Sequence, residues 1–258
     1  MSQPILTPDA LRSEVRPFAG PAWRFVEAQH RVSTLKLVDG LAEQAMLEHI
    51  LEETKPPLPK DCQHLNYLLA TPFRYRPYPQ GSRFRRAGLT PGVWYGAERP
   101  EAAAAEMVFY RFLFYAESPG TPFPDDAAEY TAICAMLAAP ASLDLTSGAL
   151  AANRAQWMHL TDYAPCQTLA ESAREIGVEV IRYASVRDPA RGANLAVLSC
   201  RAFAAPEPTQ RQTWRIRIGR SGAQALCEQP RLGLEFATDA FAPDPRLVGM
   251  IWERPRAR

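Results

Sequence analysis

The chain has 258 residues, 47% of them hydrophobic, and a formal net charge of +1. That length and apolar content suit one large or two small globular domains with a sizeable core. The near-zero charge removes any bulk electrostatic drive toward nucleic acid or an anionic membrane. The five cysteines (Cys62, Cys134, Cys166, Cys200, Cys227) are scattered and form no CxxC. They read as small buried apolar groups of a protein in a reducing cytoplasm. The first fifteen residues have no basic stretch followed by an apolar one, so no secretory signal is expected. No apolar run approaches the ~20 residues of a membrane span.

The 24 prolines predict short regular elements joined by ordered loops. Residues 1–21, with Pro4, Pro8, Pro17 and Pro21, read as an irregular lead-in, and residues 23–28 (WRFVEA) fit a short strand. Asp39 offers a helix N-cap, and Leu41, Met46, Leu47, Ile50 and Leu51 form an apolar helical stripe. Lys55, Pro56 and Pro57 end that helix. Residues 64–70 fit a short element, and residues 72–81 carry too many prolines for a central strand. Residues 93–95 read as a strand. Pro100 suits the first turn of a helix running to about Ala116. Residues 130–137 and 142–145 read as two strands. A helix over 168–176 should end at Gly177. Strands are expected at 178–183 and 195–200, around the alternating Trp214, Ile216 and Ile218, and at 232–236 and 247–252. Strands outnumber helices and come in runs, which predicts an α+β fold. The expected division is an N-terminal extension with one helix over 1–60 and a main unit over 61–258, built as one compact body.

The familiar nucleotide, hydrolase and zinc-protease motifs are absent, and the four histidines lie far apart, so no metal site is expected. The stretch 81–111 holds the candidate chemistry. Arg83, Arg85 and Arg86 match phosphate oxygens bidentately, or else decorate a solvated turn. Tyr95 ends an apolar strand, where its hydroxyl meets water or its ring carries a planar ligand. Glu106 sits among Ala103, Met107, Tyr110 and Leu113 on a helix face. A carboxylate there either reaches the edge of the core or serves a site. Ser185 opens a turn after a strand. Cys166 with His159, seven residues away, forms a second candidate pair.

Taken in order, these segments resemble the RES-domain family, toxins of bacterial Xre–RES toxin–antitoxin modules. The residues that carry the likeness are Gly81-Ser82-Arg83-Phe84, the GVWYGA strand with Tyr95, Glu106 in EAAAAEM eleven residues later, and Ser185 with Asn194 in ASVRDPARGANLAVL. Arg83 fits the family's motif and Arg85 its spacing, while Ala184 replaces the usual proline. The resemblance implies an ADP-ribosyltransferase-like mixed sheet flanked by helices, with the 40–54 helix as an N-terminal addition. It implies NAD as substrate, cleaved at the nicotinamide–ribose bond, with ADP-ribose passed to a protein side chain, phosphate or water. Arg83 or Arg85 would bind the pyrophosphate and Tyr95 would stack on the nicotinamide or its ribose. Glu106 would stabilise the developing positive charge. Ser185 would bond the ribose or align Glu106, with Asn194 beside it. An Xre-type antitoxin would be the partner, with a target protein as a further one. The rival expectation is a binding module that has kept the fold without catalysis.

Overall fold

The computed structural model describes residues 7–27, 37–75, 77 and 79–254; Ala28, Arg76 and Tyr78 of the stretches read above lie outside them. Helix α1 (Pro8–Arg12) starts at Thr7, whose hydroxyl accepts from the Ala10 N–H at 3.4 Å. Strand β1 (Arg16–Glu27) follows. Residues 1–6 of the expected irregular lead-in lie outside the described residues, and the rest of it, 7–21, is mostly helix and strand. Pro17 is tolerated because it falls where the β1 register shifts, between Arg16 and Phe18, and a bulge needs no ladder donor there.

Helix α2 (Leu41–Glu53) has Gly40, not Asp39, at its N-cap. Asp39 instead donates its backbone N–H to Glu43 Oε2 at 3.1 Å. None of its residues is buried, and Leu41, Met46, Ile50 and Leu51 of the apolar stripe are exposed. Helix α3 (Tyr67–Arg74) is capped by Asn66, which accepts from Leu68 N at 3.0 Å. Strand β2 (Trp94–Ala97) runs into helix α4 (Pro100–Glu117), with Pro100 in its first turn as expected. The two strands expected over 130–145 are one, β3 (Ala128–Asp144). Helices α5 (Arg154–Trp157) and α6 (Ala164–Glu175) follow, and Gly177 takes φ +79° just beyond α6.

Strands β4 (Val180–Ala184), β5 (Ala193–Val197), β6 (Gln210–Gly219), β7 (Gly222–Cys227) and β8 (Leu232–Phe236) complete the sheet. Strand β7 was not foreseen. Its small residues pair with β6 through a hairpin whose Gly222 has φ +113° and backs onto the Phe236 carbonyl, where a Cβ would sit 2.0 Å away. The strand expected at 247–252 is instead a 3-10 turn (Pro245–Leu247) and irregular chain lying on α4. There Trp252 meets Phe112 edge-on, and Arg254 donates to the carbonyls of Tyr115, Ser118 and Thr121, closing the C-terminus of α4.

The sheet order is β1-β2-β5-β4-β3-β6-β7-β8, and β1 also pairs antiparallel with β3 along almost its whole length. The strands β1, β2, β5, β4 and β3 thus close a ring, and β6 to β8 extend from it as a meander. Only β3 and β4 run parallel. The fold is α+β, as expected, but the N-terminal region contributes more than one helix: β1 is built into the sheet. Helix α4 lies over the sheet with Ala102, Ala103, Ala104 and Ala105 buried, small enough to bring its backbone close, and with Phe109 and Phe112 packed near Trp214 and Phe241. Trp94 and Ile133 anchor a second core region, and Phe84, Trp157 and Leu169 a third. Cys134, Cys166 and Cys227 are buried free thiols. Cys62 and Cys200 depart from the expectation that all five are plain apolar groups: they are joined as a disulfide, Cα–Cα 5.5 Å, across 138 residues. No described helix is long and apolar enough to cross a membrane.

Candidate functional site

Helix α4 presents Glu106 from its second turn, beside the ends of β4 and β5. The β4–β5 connection is a tight loop, closed by Ser185 N–H donating to the Gly192 carbonyl at 2.8 Å. Asp188 braces it from within, Oδ1 accepting from Ala190 N and Oδ2 from Gly192 N. A side chain at position 192 would meet Asp188 Oδ2 at 2.7 Å, so a larger residue there must displace that carboxylate from its bonds to Ala190 and Gly192.

Ser185 is completely buried. Its Oγ accepts from the N–H groups of Arg187 (3.1 Å) and Asp188 (3.0 Å). With both of those donors aimed at Oγ, the hydroxyl proton has one way to go, to Glu106 Oε1 at 2.8 Å. Asn194, next to last of the residues that pair β5 with β4, donates its Nδ2 to the same oxygen at 2.7 Å. One carboxylate oxygen is fixed by two side chains, and Oε2 makes no hydrogen bond to the described residues. Asn194 Oδ1 is buried without a hydrogen-bond partner among the described residues.

Glu106 and Asn194 border a cavity of about 240 Å³ walled by Trp23, Phe25, Tyr95, Tyr110, Tyr163 and Tyr183, with Arg24, Arg83 and Arg187 also lining it. Tyr95 does not leave its hydroxyl in water. The oxygen accepts from Phe84 N–H at 3.0 Å and shares a 2.8 Å hydrogen bond with Ser82 Oγ. Burial pushes the Tyr95 phenol up, against the opposing effect of the Ser82 bond. Tyr183 is pushed well above its ordinary value, first by burial and then by the Glu106 charge, so it stays a neutral phenol in the wall.

A model of the RES domain matches residues 58–218, more than half of the chain. The chain belongs to the RES-domain family. No curated protein matches it significantly. Among solved structures it is similar to a chain of the M. tuberculosis MbcT–MbcA toxin–antitoxin complex, at 14% identity and a TM-score of 0.46, over 80% of this chain and 91% of that one.

Of the six RES residues singled out in the sequence, the fold brings Glu106, Asn194, Tyr95 and Arg83 to the lining of one cavity, sets Ser185 behind Glu106 as its buried hydrogen-bond donor, and leaves Arg85 outside the lining. Arg85 Nη2 donates to the Gln80 carbonyl at 3.0 Å. Arg86 pairs with Glu171, Nε to Oε1 at 2.6 Å. Arg83 is only 7% exposed. Its guanidinium donates to the carbonyls of Trp157 (2.6 Å) and His159 (3.0 Å) and lies over the Tyr163 ring at 4.7 Å. These bonds commit its fork to the loop before α6.

The residue that sequence reasoning missed is Arg24 on β1. It lines the cavity, sits 5.6 Å over the Trp94 ring, and makes no hydrogen bond or ion pair to the described residues. Desolvation lowers its pKa to about 10, which still leaves it charged at neutral pH. The signal was present as an arginine between Trp23 and Phe25, both buried, in an alternating strand. The alternative pair is not assembled. Cys166 Sγ contacts the Trp157 carbonyl at 3.6 Å, and His159 Nδ1 accepts from the N–H of Thr161 and Asp162.

Proposed function

We propose that this RES-family protein is the toxin of a toxin–antitoxin pair and cleaves NAD at the nicotinamide–ribose bond. ADP-ribose then passes to a protein side chain, phosphate or water. The observation that carries the reading is Glu106: a carboxylate with one oxygen fixed by Ser185 and Asn194 and the other left for a ligand, in an aromatic cavity lined by arginines. As the bond breaks, its electron pair goes to the nicotinamide nitrogen, which leaves neutral, and positive charge grows on the ribose. A preorganised carboxylate beside that charge lowers the barrier electrostatically. No strong general acid is needed, in keeping with a cavity lining that contains no histidine among the described residues.

The residues divide the work. Ser185 spends its proton on Glu106 and so aligns the carboxylate rather than the ribose. Tyr95 spends its hydroxyl on Ser82 and Phe84, so its ring face is what remains for the planar nicotinamide. Asn194 Oδ1, buried and unpartnered, suits a ribose hydroxyl as donor. Arg24 meets the pyrophosphate in this reading and Arg83 holds the wall, because Arg24 has no competing partner. The cavity is smaller than the ~300–1,000 Å³ of sites that enclose a drug-sized ligand, so it takes the nicotinamide–ribose end and leaves the adenylate toward the mouth. The fold class goes with this reading as ADP-ribosyltransferase-like. By family resemblance an Xre-type antitoxin is the partner, with a segment that covers the arginine-lined cleft.

The test is release of nicotinamide from NAD by the purified protein, with and without phosphate, beside Glu106→Gln. Release that needs Glu106 is expected, and its phosphate dependence separates phosphorolysis from hydrolysis. If neither protein releases nicotinamide, alone or with cell lysate and labelled NAD, the chain is a binding module and this reading falls.

A further inference from the structure

The residues beyond 218, outside the stretch that matches the RES domain, do more than extend the sheet. Behind the cavity, Asp244 is 1% exposed and Arg187 4%, and they pair at 2.8 Å, Oδ2 to Nη1. Arg246 adds a fork to the same carboxylate, Nε to Oδ1 at 2.9 Å and Nη2 to Oδ2 at 2.8 Å. Both arginines donate to the Leu160 carbonyl at 3.3 Å. Both also lie over the Phe109 ring, at 3.8 and 5.0 Å. Phe109 belongs to α4, the helix of Glu106. One buried carboxylate therefore ties the C-terminal segment, the loop before α6, helix α4 and the Ser185 loop to one point. A buried guanidinium this well paired is costly to move, because any displacement leaves charge without a partner.

Arg187 is also one of the two backbone donors to Ser185 Oγ, at 3.1 Å. Where its side chain is anchored, its N–H is anchored, and that N–H helps aim the serine proton at Glu106. We propose that Asp244 is a positioning residue for the candidate site: by holding Arg187 it holds the Ser185 turn, and through Ser185 it holds the Glu106 carboxylate. The C-terminal segment is then part of the site's supporting frame. The activity arm of the test rests on the NAD-cleaving reading; the exchange arm does not.

The experiment compares the parent with Asp244→Asn, which keeps the shape and removes the charge. Amide hydrogen exchange without NAD should be about tenfold faster at Arg187 and Asp188 in the variant, with the core strands unchanged. Nicotinamide release should lose about tenfold in kcat with KM within about twofold, the size typical of groups that orient a reacting residue. Combined with Ser185→Ala, the loss should be no larger than for Ser185→Ala alone, because both act through one hydrogen bond. Unchanged exchange at 187 and 188 overturns the proposal, and so does a double variant whose losses simply multiply. A parent that never releases nicotinamide sinks the proposed reaction and leaves the exchange result to decide the positioning role. Should Asp244→Asn fail to fold, Arg187→Met with Asp244→Leu replaces the buried pair by apolar groups that keep the volume filled. The same acceleration at positions 187 and 188 and the same fall in kcat are expected of it, and their absence counts equally against the proposal.

Discussion

The two halves of the 81–111 stretch treat their charges in opposite ways. On the helical half, Glu106 receives both of its hydrogen bonds from residues 79 and 88 positions away in sequence, and one oxygen remains open. On the turn half, Arg83 and Arg86 are spent on the protein itself, on two carbonyls and on Glu171. Of the arginines lining the cavity, the one without a hydrogen-bonding partner among the described residues is Arg24, on a strand nearly 60 positions before the turn. A charged residue becomes available for chemistry when the fold supplies it a position and withholds a partner. Clustering of charges in sequence measures neither.

The first way to break this comparison is at its strongest point. Glu106→Gln keeps the side-chain shape but removes the charge meant for the transition state. The kcat for nicotinamide release should fall by about 100- to 1,000-fold, the size seen when one preorganised electrostatic group is removed. Thermal melting should show the variant folded. A variant with parental kcat would mean that the fixed carboxylate is structural. The next effect should come from Arg24→Met, which keeps the stem over Trp94 and deletes the guanidinium. A charge-assisted contact is worth roughly 1.5–3 kcal/mol, so KM for NAD should rise about 10- to 100-fold with kcat nearly unchanged. If instead Arg83→Met raises KM and Arg24→Met does not, the two arginines have been assigned the wrong way round.

Arg83→Met should act mainly on stability. It takes the Arg83 donor from the His159 carbonyl and leaves the buried Trp157 carbonyl only the weak Cys166 thiol, for about 2 kcal/mol, or roughly a 4–8 °C lower Tm for a chain of this size. Differential scanning calorimetry reads this directly. A normal Tm with lost NAD binding would return Arg83 to the ligand.

What the sequence made legible follows from where the information sits. Helix α4 was readable because its signals are local: Pro100 at the start, alanines through the middle, Ser118-Pro119 at the end. Glu106, Ser185 and Asn194 were readable because the RES motif order survives in their short surroundings, although only the fold shows that they meet at one oxygen. Strand β1 was not readable past two prolines, because what makes it a strand is the ladder to β3, more than a hundred residues on. The same holds for β7, whose GAQALC has little pattern until β6 and β8 flank it. Arg24 escaped notice for a related reason. Between Trp23 and Phe25 it reads as the polar side of an alternating strand, and only the fold shows that it borders the cavity. Cys62 and Cys200 carried no spacing signal, since the folded chain alone brings their Cα atoms within 5.5 Å.

The smallest effect sharpens the comparison from the other side. Arg86 and Glu171 form a partly exposed pair between the arginine turn and α6, and the Arg86 hydrogen bond holds the Glu171 carboxyl below its usual value of 4.5. A depressed carboxylate adds stability that is present above its unfolded pKa and is lost as pH falls through the folded one. Solvent screens the pair, so its worth is at most about 1 kcal/mol. Urea melts of the parent and Arg86→Met should therefore differ by that small amount at pH 7, and the gap should close as pH falls through the folded Glu171 pKa. Nicotinamide release at pH 7 should be the same for the two proteins. A stability gap that does not narrow as pH falls would show that Arg86 contributes through its stem or its bond to Thr168 and not through the Glu171 charge. A loss of NAD turnover with no stability gap would show an arginine of the turn handling the ligand, and the division between a spent turn and an open carboxylate would not stand.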